Sequence, residues 1–151
     1  MSASARLGQL GLTLPDVVAP LASYVPAVRT GNLVYTSGQL PMEGGQLRRT
    51  GKVGADVSLE DAKSLARICA LNALAAVHSL AGIDAVARVV KVVGFVASAP
   101  GFNGQPSVIN GASDLLAEVF GDQGAHARSA VGVSELPLDA PVEVELIVEL
   151  G

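Results

Sequence analysis

Hydrophobic residues recur at helical spacing in two segments of the chain. From Leu59 to Leu80 they fall three or four positions apart, which predicts an amphipathic helix. Ser58 followed by Asp61 is typical of a capped helix start, and Gly82 of a helix end. A second helix is expected over about Gln105 to Phe120. In the first helix we expect a solvated polar face, made of Glu60, Lys63, Ser64, Arg67 and Asn72.

Other segments are rich in β-branched residues or alternate between apolar and polar positions, which predicts strands. Gly31-Asn32 separates the first two and indicates a hairpin turn, whereas Gly94 indicates a bulge or a close approach in a central strand. The strands are expected at residues 24–30, 33–37, 86–100, 128–136 and 142–150, with a short one near 46–49.

This order of elements predicts an α+β fold, with a mixed β-sheet and two main helices packed on one face. We expect one domain over residues 1–151, in which residues 1–20 form an N-terminal extension with a short helix. Only 16% of the residues are charged, 50% are hydrophobic, and the mean hydropathy is +0.46. With so little charge, self-association is the expected cover for the second face of the sheet.

The net charge of −4 and the absence of a basic run argue against nucleic acid as a partner. No apolar run of about 18 residues is free of charge and glycine, so no membrane span is expected. The N-terminus lacks the pattern of a signal peptide. We therefore expect a cytoplasmic protein.

Motifs for phosphate, dinucleotide or metal binding are not found in the sequence. Cys69 lies in an apolar helical pattern and is expected to be a buried structural thiol. His78 and His126 have no acidic or cysteine partners at ligand spacing, so neither metal nor cofactor is expected. His78 is interpreted as structural, and His126 as a residue at the edge of a site, because it neighbours Arg128.

Arg128 stands at the head of the apolar strand segment ARSAVGVSELP. A guanidinium cannot be neutralised, so a partly buried arginine needs an anionic partner. One interpretation is an internal salt bridge, for which the candidate carboxylates are Glu135, Asp139, Glu143, Glu145 and Glu149. The other is a bidentate clamp on the carboxylate of a ligand.

A simple hairpin between the last two strands, closed by residues 137–140, would place Arg128 opposite Glu149. Glu143 would then lie about 20 Å along the sheet. Under this assumption Arg128 and Glu143 cannot meet within one subunit, but they can share a cleft between two subunits.

Four segments in this order resemble the YjgF/RidA family, which has a chorismate mutase-like fold. They are YVPAVRTGNLVYTSGQLP, VVKVVGFVASAPGF, VINGASDLLAEVFG and ARSAVGVSELPLDAPVEVELIVEL. The resemblance covers about Tyr24 to Leu150. The longer N-terminus resembles an uncharacterised branch that was formerly described as endoribonuclease-like or translation-inhibitor-like.

The resemblance implies a homotrimer with clefts between subunits and a cofactor-free hydrolytic deaminase of reactive 2-imino or enamine acids. It assigns the ligand carboxylate to Arg128 and the attacking water to Glu143. It also places in the cleft Tyr24, Ser37, Gly38, Gln39, Asn110 and Ala130. Ala130 departs from the family, which often has cysteine there; the carboxylate clamp does not depend on it.

Three other functions are compatible with the sequence. A non-catalytic protein that binds small carboxylates, such as 2-oxo acids, would use the same cleft and the same arginine. A ribonuclease is suggested by the family's older name, but the acidic charge argues against it. Chorismate mutase activity rests on fold similarity alone, which does not transfer function.

Overall fold

The computed structural model describes residues 1–151 as alternating helices and strands. In chain order these are α1 (Ala3–Gln9), β1 (Ala27–Thr30), β2 (Leu33–Thr36), β3 (Met42–Glu43), β4 (Gln46–Leu47), α2 (Leu59–Ala81), β5 (Val86–Ala97), α3 (Gln105–Phe120), β6 (Ala127–Val133) and β7 (Val142–Leu150). Five strands form one mixed sheet in the order β1-β2-β7-β5-β6, and β3 pairs with β4 apart from it. The α+β class is therefore confirmed.

The two long helices begin and end where the pattern indicates. The Ser58 side chain accepts a hydrogen bond from the Asp61 amide at 3.1 Å, and Gly82 ends α2 with a φ of 80°. Both helices pack on one face of the sheet, where alternate residues of β7 are buried. Cys69 is buried in this layer, and burial raises the pKa of its thiol well above the usual range. It is therefore a core residue.

α2 is long and apolar enough to cross a membrane by length and composition alone. More than half of its apolar stretch is buried within the fold. The apolar face meets α3 closely at Gly111, where a β-carbon would overlap the backbone oxygen of Lys63. The apolar character of α2 is therefore explained by packing between the sheet and α3, as in the core helix of a soluble protein.

Two glycine predictions for the sheet are confirmed. Gly31 and Asn32 form the turn between β1 and β2, in which Thr30 pairs with Leu33. Gly94 lies under α3, so that a β-carbon there would meet the Ile109 side chain. Gly94 is thus a site of close helix-to-sheet approach, and the register shifts of β5 occur earlier, between Val86 and Lys91.

The expected hairpin between the last two strands is wrong. β5 lies between β6 and β7; β6 runs parallel to β5, and β7 runs antiparallel to it. The physical reason is the β5–α3–β6 crossover, which sets the two joined strands parallel and adjacent. Arg128 therefore pairs with Val92 of β5 and does not lie opposite Glu149.

The second face of the sheet is open in the single chain. It carries apolar side chains of β1, β2 and β6, among which Val28, Tyr35 and Val131 are all more than two-fifths exposed. Glu143, Glu145 and Ile147 of β7 alternate with core residues and therefore belong to this face. An apolar face of this kind is typical of a surface that another subunit covers.

Candidate functional site

Glu143 lies at the start of β7, against the loop that follows β2. Gln39 continues the strand pairing there, with its amide donating to the Val144 carbonyl at 2.8 Å and its carbonyl accepting from the Val144 amide at 3.0 Å. This pairing brings Gly38 so close to Glu143 that a β-carbon on Gly38 would overlap the carboxylate. Glycine at this position therefore makes room for the acid.

A pocket opens beside Glu143 and is lined on its other side by the segment that precedes β1. Gly38, Gln39, Tyr24 and Glu143 all line it. The remaining lining is mostly apolar and comes from Val18, Ala19, Pro20, Leu21, Pro26, Leu40, Met42 and Pro137. We refer to this cavity as the Glu143 pocket. The sequence did not indicate its apolar wall, because residues 18–21 have no periodicity and contact the loop at residues 38–42 only through the fold.

Three hydrogen bonds of Ser37 and Tyr24 fix the wall of the Glu143 pocket. The Ser37 hydroxyl donates to the Val25 carbonyl at 2.6 Å, and the Ser37 amide donates to the Pro26 carbonyl at 2.8 Å. The Tyr24 hydroxyl accepts from the Leu21 amide at 3.2 Å. Ser37 thus holds the segment that carries Tyr24, and it lies behind the lining of the cavity.

Asn72 lies behind this loop, and the sequence pattern assigned its environment wrongly. It was expected on the solvated face of α2, yet it is only 1% exposed. Its amide group donates to the carbonyls of Leu40 and Met42 at 3.1 and 3.0 Å. It is buried because the β2–β3 loop covers this turn of α2, a tertiary contact that helical spacing does not reveal.

Burial raises the pKa of the Glu143 carboxyl above its usual value, and the neighbouring charge of Glu145 raises it further. The pKa of Glu145 is itself raised by burial. No hydrogen-bond donor of the chain offsets these effects at Glu143. A carboxylate in this state is a stronger base than one in water.

Arg128 lies on the helix face of the edge strand β6 and points toward α3. Nη1 donates to Asn110 Oδ1 at 2.8 Å and to Ser113 Oγ at 3.2 Å, and Nη2 donates to the Pro106 carbonyl at 3.3 Å. Ala130 lies two residues further along the same face and pairs with Gly94. Arg128, Asn110 and Ala130 therefore form a second group, which we call the Arg128 site.

No carboxylate of the chain forms a salt bridge with Arg128. Of the five candidates considered from the sequence, Glu135 and Asp139 instead hold Lys52 Nζ at 2.6 and 3.0 Å. The internal ion pair is therefore wrong for the single chain.

The structure thus brings the expected site residues together in two separate groups. Tyr24, Gly38, Gln39 and Glu143 share one pocket, with Ser37 behind it, whereas Asn110 joins Arg128 on the opposite face of the sheet. Ser113, which the sequence did not indicate, belongs to the Arg128 site and contacts His126 at 2.8 Å. No group of histidine, cysteine and acidic side chains is arranged to hold a metal ion.

Comparison with known proteins gives relatives along nearly the whole chain. Protein TCP17 of Trypanosoma cruzi is 44% identical over 98% of this chain and 94% of its own length. The 2-iminobutanoate/2-iminopropanoate deaminase of Dermatophagoides farinae is 34% identical over 91% of this chain and 93% of its own.

Solved structures are also similar to this protein along nearly the whole chain. A protein of unknown function from Agrobacterium tumefaciens superposes with a TM-score of 0.91 at 48% identity, covering 99% of this chain and 92% of the other. Escherichia coli TdcF, solved with bound serine, has a TM-score of 0.65 at 25% identity, covering 92% and 96%. Residues 14–150 match the family model described as Endoribonuclease L-PSP. The chain therefore belongs to the endoribonuclease L-PSP family, which is also called the YjgF/RidA family.

Proposed function

We propose that this protein hydrolyses reactive 2-imino acids, and the enamines that tautomerise to them, into 2-oxo acids and ammonia. The observation that carries the proposal is the state of Arg128, whose guanidinium is held by α3 without any carboxylate partner. Relatives named 2-iminobutanoate/2-iminopropanoate deaminase support the same reaction class.

The hydrogen bonds of Arg128 leave a particular edge of the guanidinium available. Both Nη1–H groups and one Nη2–H group are directed to acceptors of α3. The Nε–H group and the second Nη2–H group have no acceptor in the chain. These two groups suit the bidentate binding of a carboxylate. We assign the substrate carboxylate to this edge, with Asn110 and Ala130 beside it.

Glu143 is assigned the role of general base. Its carboxylate removes a proton from water as the water oxygen bonds to the imine carbon, and the C=N electron pair moves to nitrogen. The protonated Glu143 then returns the proton to that nitrogen, which gives a carbinolamine. Glu143 next takes the proton of the new hydroxyl group and passes it to the nitrogen as the C–N bond breaks, so that ammonia leaves and the 2-oxo acid remains. Burial raises the pKa of Glu143 above its usual value, which makes the carboxylate a stronger base for the removal of a proton from water.

The two groups complete one site only if the Arg128 site of one subunit faces the Glu143 pocket of another. We infer a homotrimer with three such clefts, in which Tyr24, Ser37, Gly38 and Gln39 line the side that carries Glu143. The open apolar face of the sheet, with Val28, Tyr35 and Val131 exposed, supports this association.

A second candidate is a protein that binds small carboxylates without turning them over. The relative TdcF has been solved with bound serine, an amino acid that also carries a carboxylate. In this case Arg128 would keep its role, and Glu143 would contact the ligand without proton transfer.

A coupled assay distinguishes the two candidates. In it an amino-acid oxidase generates the imine continuously, and semicarbazide traps the imine that has not been hydrolysed. We expect the wild-type protein to reduce semicarbazone formation, and Arg128→Ala and Glu143→Gln to abolish this effect. Arg29→Ala is the control, because that arginine bonds only to the Gly31 carbonyl within its own turn.

If the imine disappears at the same rate with the wild-type protein as in buffer alone, the proposed deaminase activity is refuted. Saturable thermal stabilisation by 2-oxobutanoate, lost in Arg128→Ala, would then identify the binding protein.

A further inference from the structure

A chain of hydrogen bonds runs from Arg128 through two side chains to the backbone. Arg128 Nη1 donates to Ser113 Oγ at 3.2 Å, Ser113 Oγ lies 2.8 Å from His126 Nε2, and His126 Nδ1 lies 2.6 Å from the Gly124 carbonyl oxygen. All three side chains are partly buried. The chain therefore links the guanidinium to the turn between α3 and β6.

The carbonyl at the end of this series of hydrogen bonds sets the direction in which each group donates its proton. A carbonyl oxygen can only accept, so His126 Nδ1 carries a proton toward Gly124. The neutral ring then presents its Nε2 lone pair to Ser113, which donates its hydroxyl proton. Because the Ser113 hydroxyl donates its proton to His126, its oxygen lone pairs are directed toward Arg128 and accept from it.

Ser113 and Asn110 act on the same nitrogen of the guanidinium from successive turns of α3. Asn110 is exposed, and the contact from Nη2 to the Pro106 carbonyl is long at 3.3 Å, so these two acceptors hold the planar group only loosely. Ser113, as the second acceptor on Nη1, fixes the plane of the guanidinium, and with it the edge formed by Nε and Nη2. The precision of the carboxylate site therefore depends on the hydroxyl direction at Ser113.

We propose that Ser113 and His126 are positioning residues of the carboxylate site: His126 keeps the Ser113 hydroxyl as an acceptor, and Ser113 holds the Arg128 guanidinium in plane. This rests on the proposed function in that Arg128 binds the carboxylate of the ligand. Neither residue touches the substrate, so their effect is on its binding rather than on the chemical step.

Substitutions at Ser113 test the acceptor. Loss of a charge-assisted hydrogen bond at a partly exposed site weakens binding about tenfold. We expect this increase in KM for the imine, and in Kd for 2-oxobutanoate, in Ser113→Ala, with kcat within about twofold of wild type. Ser113→Thr keeps the hydroxyl and should restore binding. Ser64→Ala is the control, because the Ser64 hydroxyl bonds only to a carbonyl of its own helix.

Substitutions at His126 separate positioning from a merely structural role. His126→Gln offers a side-chain oxygen in place of Nε2 and keeps the acceptor for Ser113, whereas His126→Asn keeps only a donor for the Gly124 carbonyl. We expect tighter 2-oxobutanoate binding in His126→Gln than in His126→Asn. A role confined to anchoring the turn at Gly124 would give the reverse order, and that order would overturn the proposal.

The NMR signals of the Arg128 guanidinium provide a readout that does not depend on turnover. Restraint by Ser113 slows rotation about Cζ–Nη1, so we expect separate Nη1 proton signals in the wild-type protein and merged ones in Ser113→Ala.

If Arg128→Ala loses 2-oxobutanoate binding while Ser113→Ala binds it as wild type does, the positioning role is refuted and the proposed function stands. If the wild-type protein neither hydrolyses imines nor binds 2-oxobutanoate, the proposed function fails. The guanidinium signals then decide the positioning role: a change in Ser113→Ala supports it, and identical signals refute it.

Discussion

Arg128 and Glu143 project from opposite faces of one sheet and lie on strands separated by β5. Val92 of β5 pairs with Arg128 on one side and with Leu146 on the other, so Glu143 is three positions further along β7. Strand spacings place the two α-carbons about 14 Å apart. Because the side chains also point in opposite directions, a single chain cannot bring them to one substrate.

Mixed oligomers test this relationship directly. Arg128→Ala and Glu143→Gln should each be inactive alone, because every cleft lacks one of the two groups. When equal amounts are unfolded and refolded together, random association into the proposed cyclic trimer would restore about one quarter of the clefts. We therefore expect about one quarter of the wild-type rate of imine hydrolysis from the mixture.

The control mixture combines Arg128→Ala with the double variant Arg128→Ala/Glu143→Gln. No cleft of this mixture contains an arginine at position 128, so it should stay inactive. An inactive first mixture whose trimers form normally would mean that both residues act from the same chain, contrary to their placement on the sheet.

Local signals were sufficient to place most elements of the fold. Ser58 and Gly82 define α2 because the cap and the stop act through neighbouring backbone groups. Strand order did not follow from such signals. Nothing near residues 134–141 indicates that β7 passes β6 and pairs with β5, because that choice depends on the crossover through α3.

The site was predictable to a similar degree. The resemblance to a known family pointed to residues that the fold collects in the Glu143 pocket and at the Arg128 site, and their roles stay predictions. The absence of a carboxylate at Arg128 emerged only from the fold. Asn72 and Ser113 were missed for one reason: each lies on a helix at a position whose partner comes from a distant part of the chain.

The pH dependence of turnover follows from the neighbours of Glu143. Burial, and to a smaller extent the charge of Glu145, raise the pKa of Glu143. In the proposed reaction Glu143 is the general base and must be ionised. Activity is therefore present above this raised pKa and lost as the pH falls through it. In Glu145→Gln we expect the acid limb of kcat/KM to move to lower pH, yet to stay above that of an ordinary glutamate because burial remains.

Glu149→Gln is the matched control, since Glu149 lies on the same face of β7 but does not contribute to the pKa of Glu143. The pH–rate profile of each variant is the measurement. An acid limb that shifts equally in Glu149→Gln would assign the effect to overall charge, and an unshifted limb in Glu145→Gln would exclude Glu143 as the titrating base.

Asn72 links the stability of the core to the Glu143 pocket. In Asn72→Asp the carbonyls of Leu40 and Met42 lose their donor and a carboxylate is buried among them. We expect the free energy of unfolding to fall by about 3 kcal/mol. Turnover should fall as well, because Leu40 and Met42, whose carbonyls Asn72 holds, both line the pocket.

Urea unfolding and imine hydrolysis measure the two effects. Asn103→Asp introduces the same charge on an exposed loop and should change neither. Normal stability in Asn72→Asp would contradict the buried donor role assigned to Asn72.

The contact between α2 and α3 makes a prediction about stability alone. A β-carbon at Gly111 would overlap the Lys63 backbone oxygen, which cannot rotate away as a flexible side chain would. Gly111→Ala must therefore separate the helices, and we expect a loss of about 2 kcal/mol of unfolding free energy. Gly8→Ala, in α1, has open space around the new methyl group and should gain about 0.5 kcal/mol from helix propensity. Opposite shifts of the urea midpoint, with an unchanged slope, are the expected result; a stabilised Gly111→Ala variant would show that the helices do not meet at that glycine.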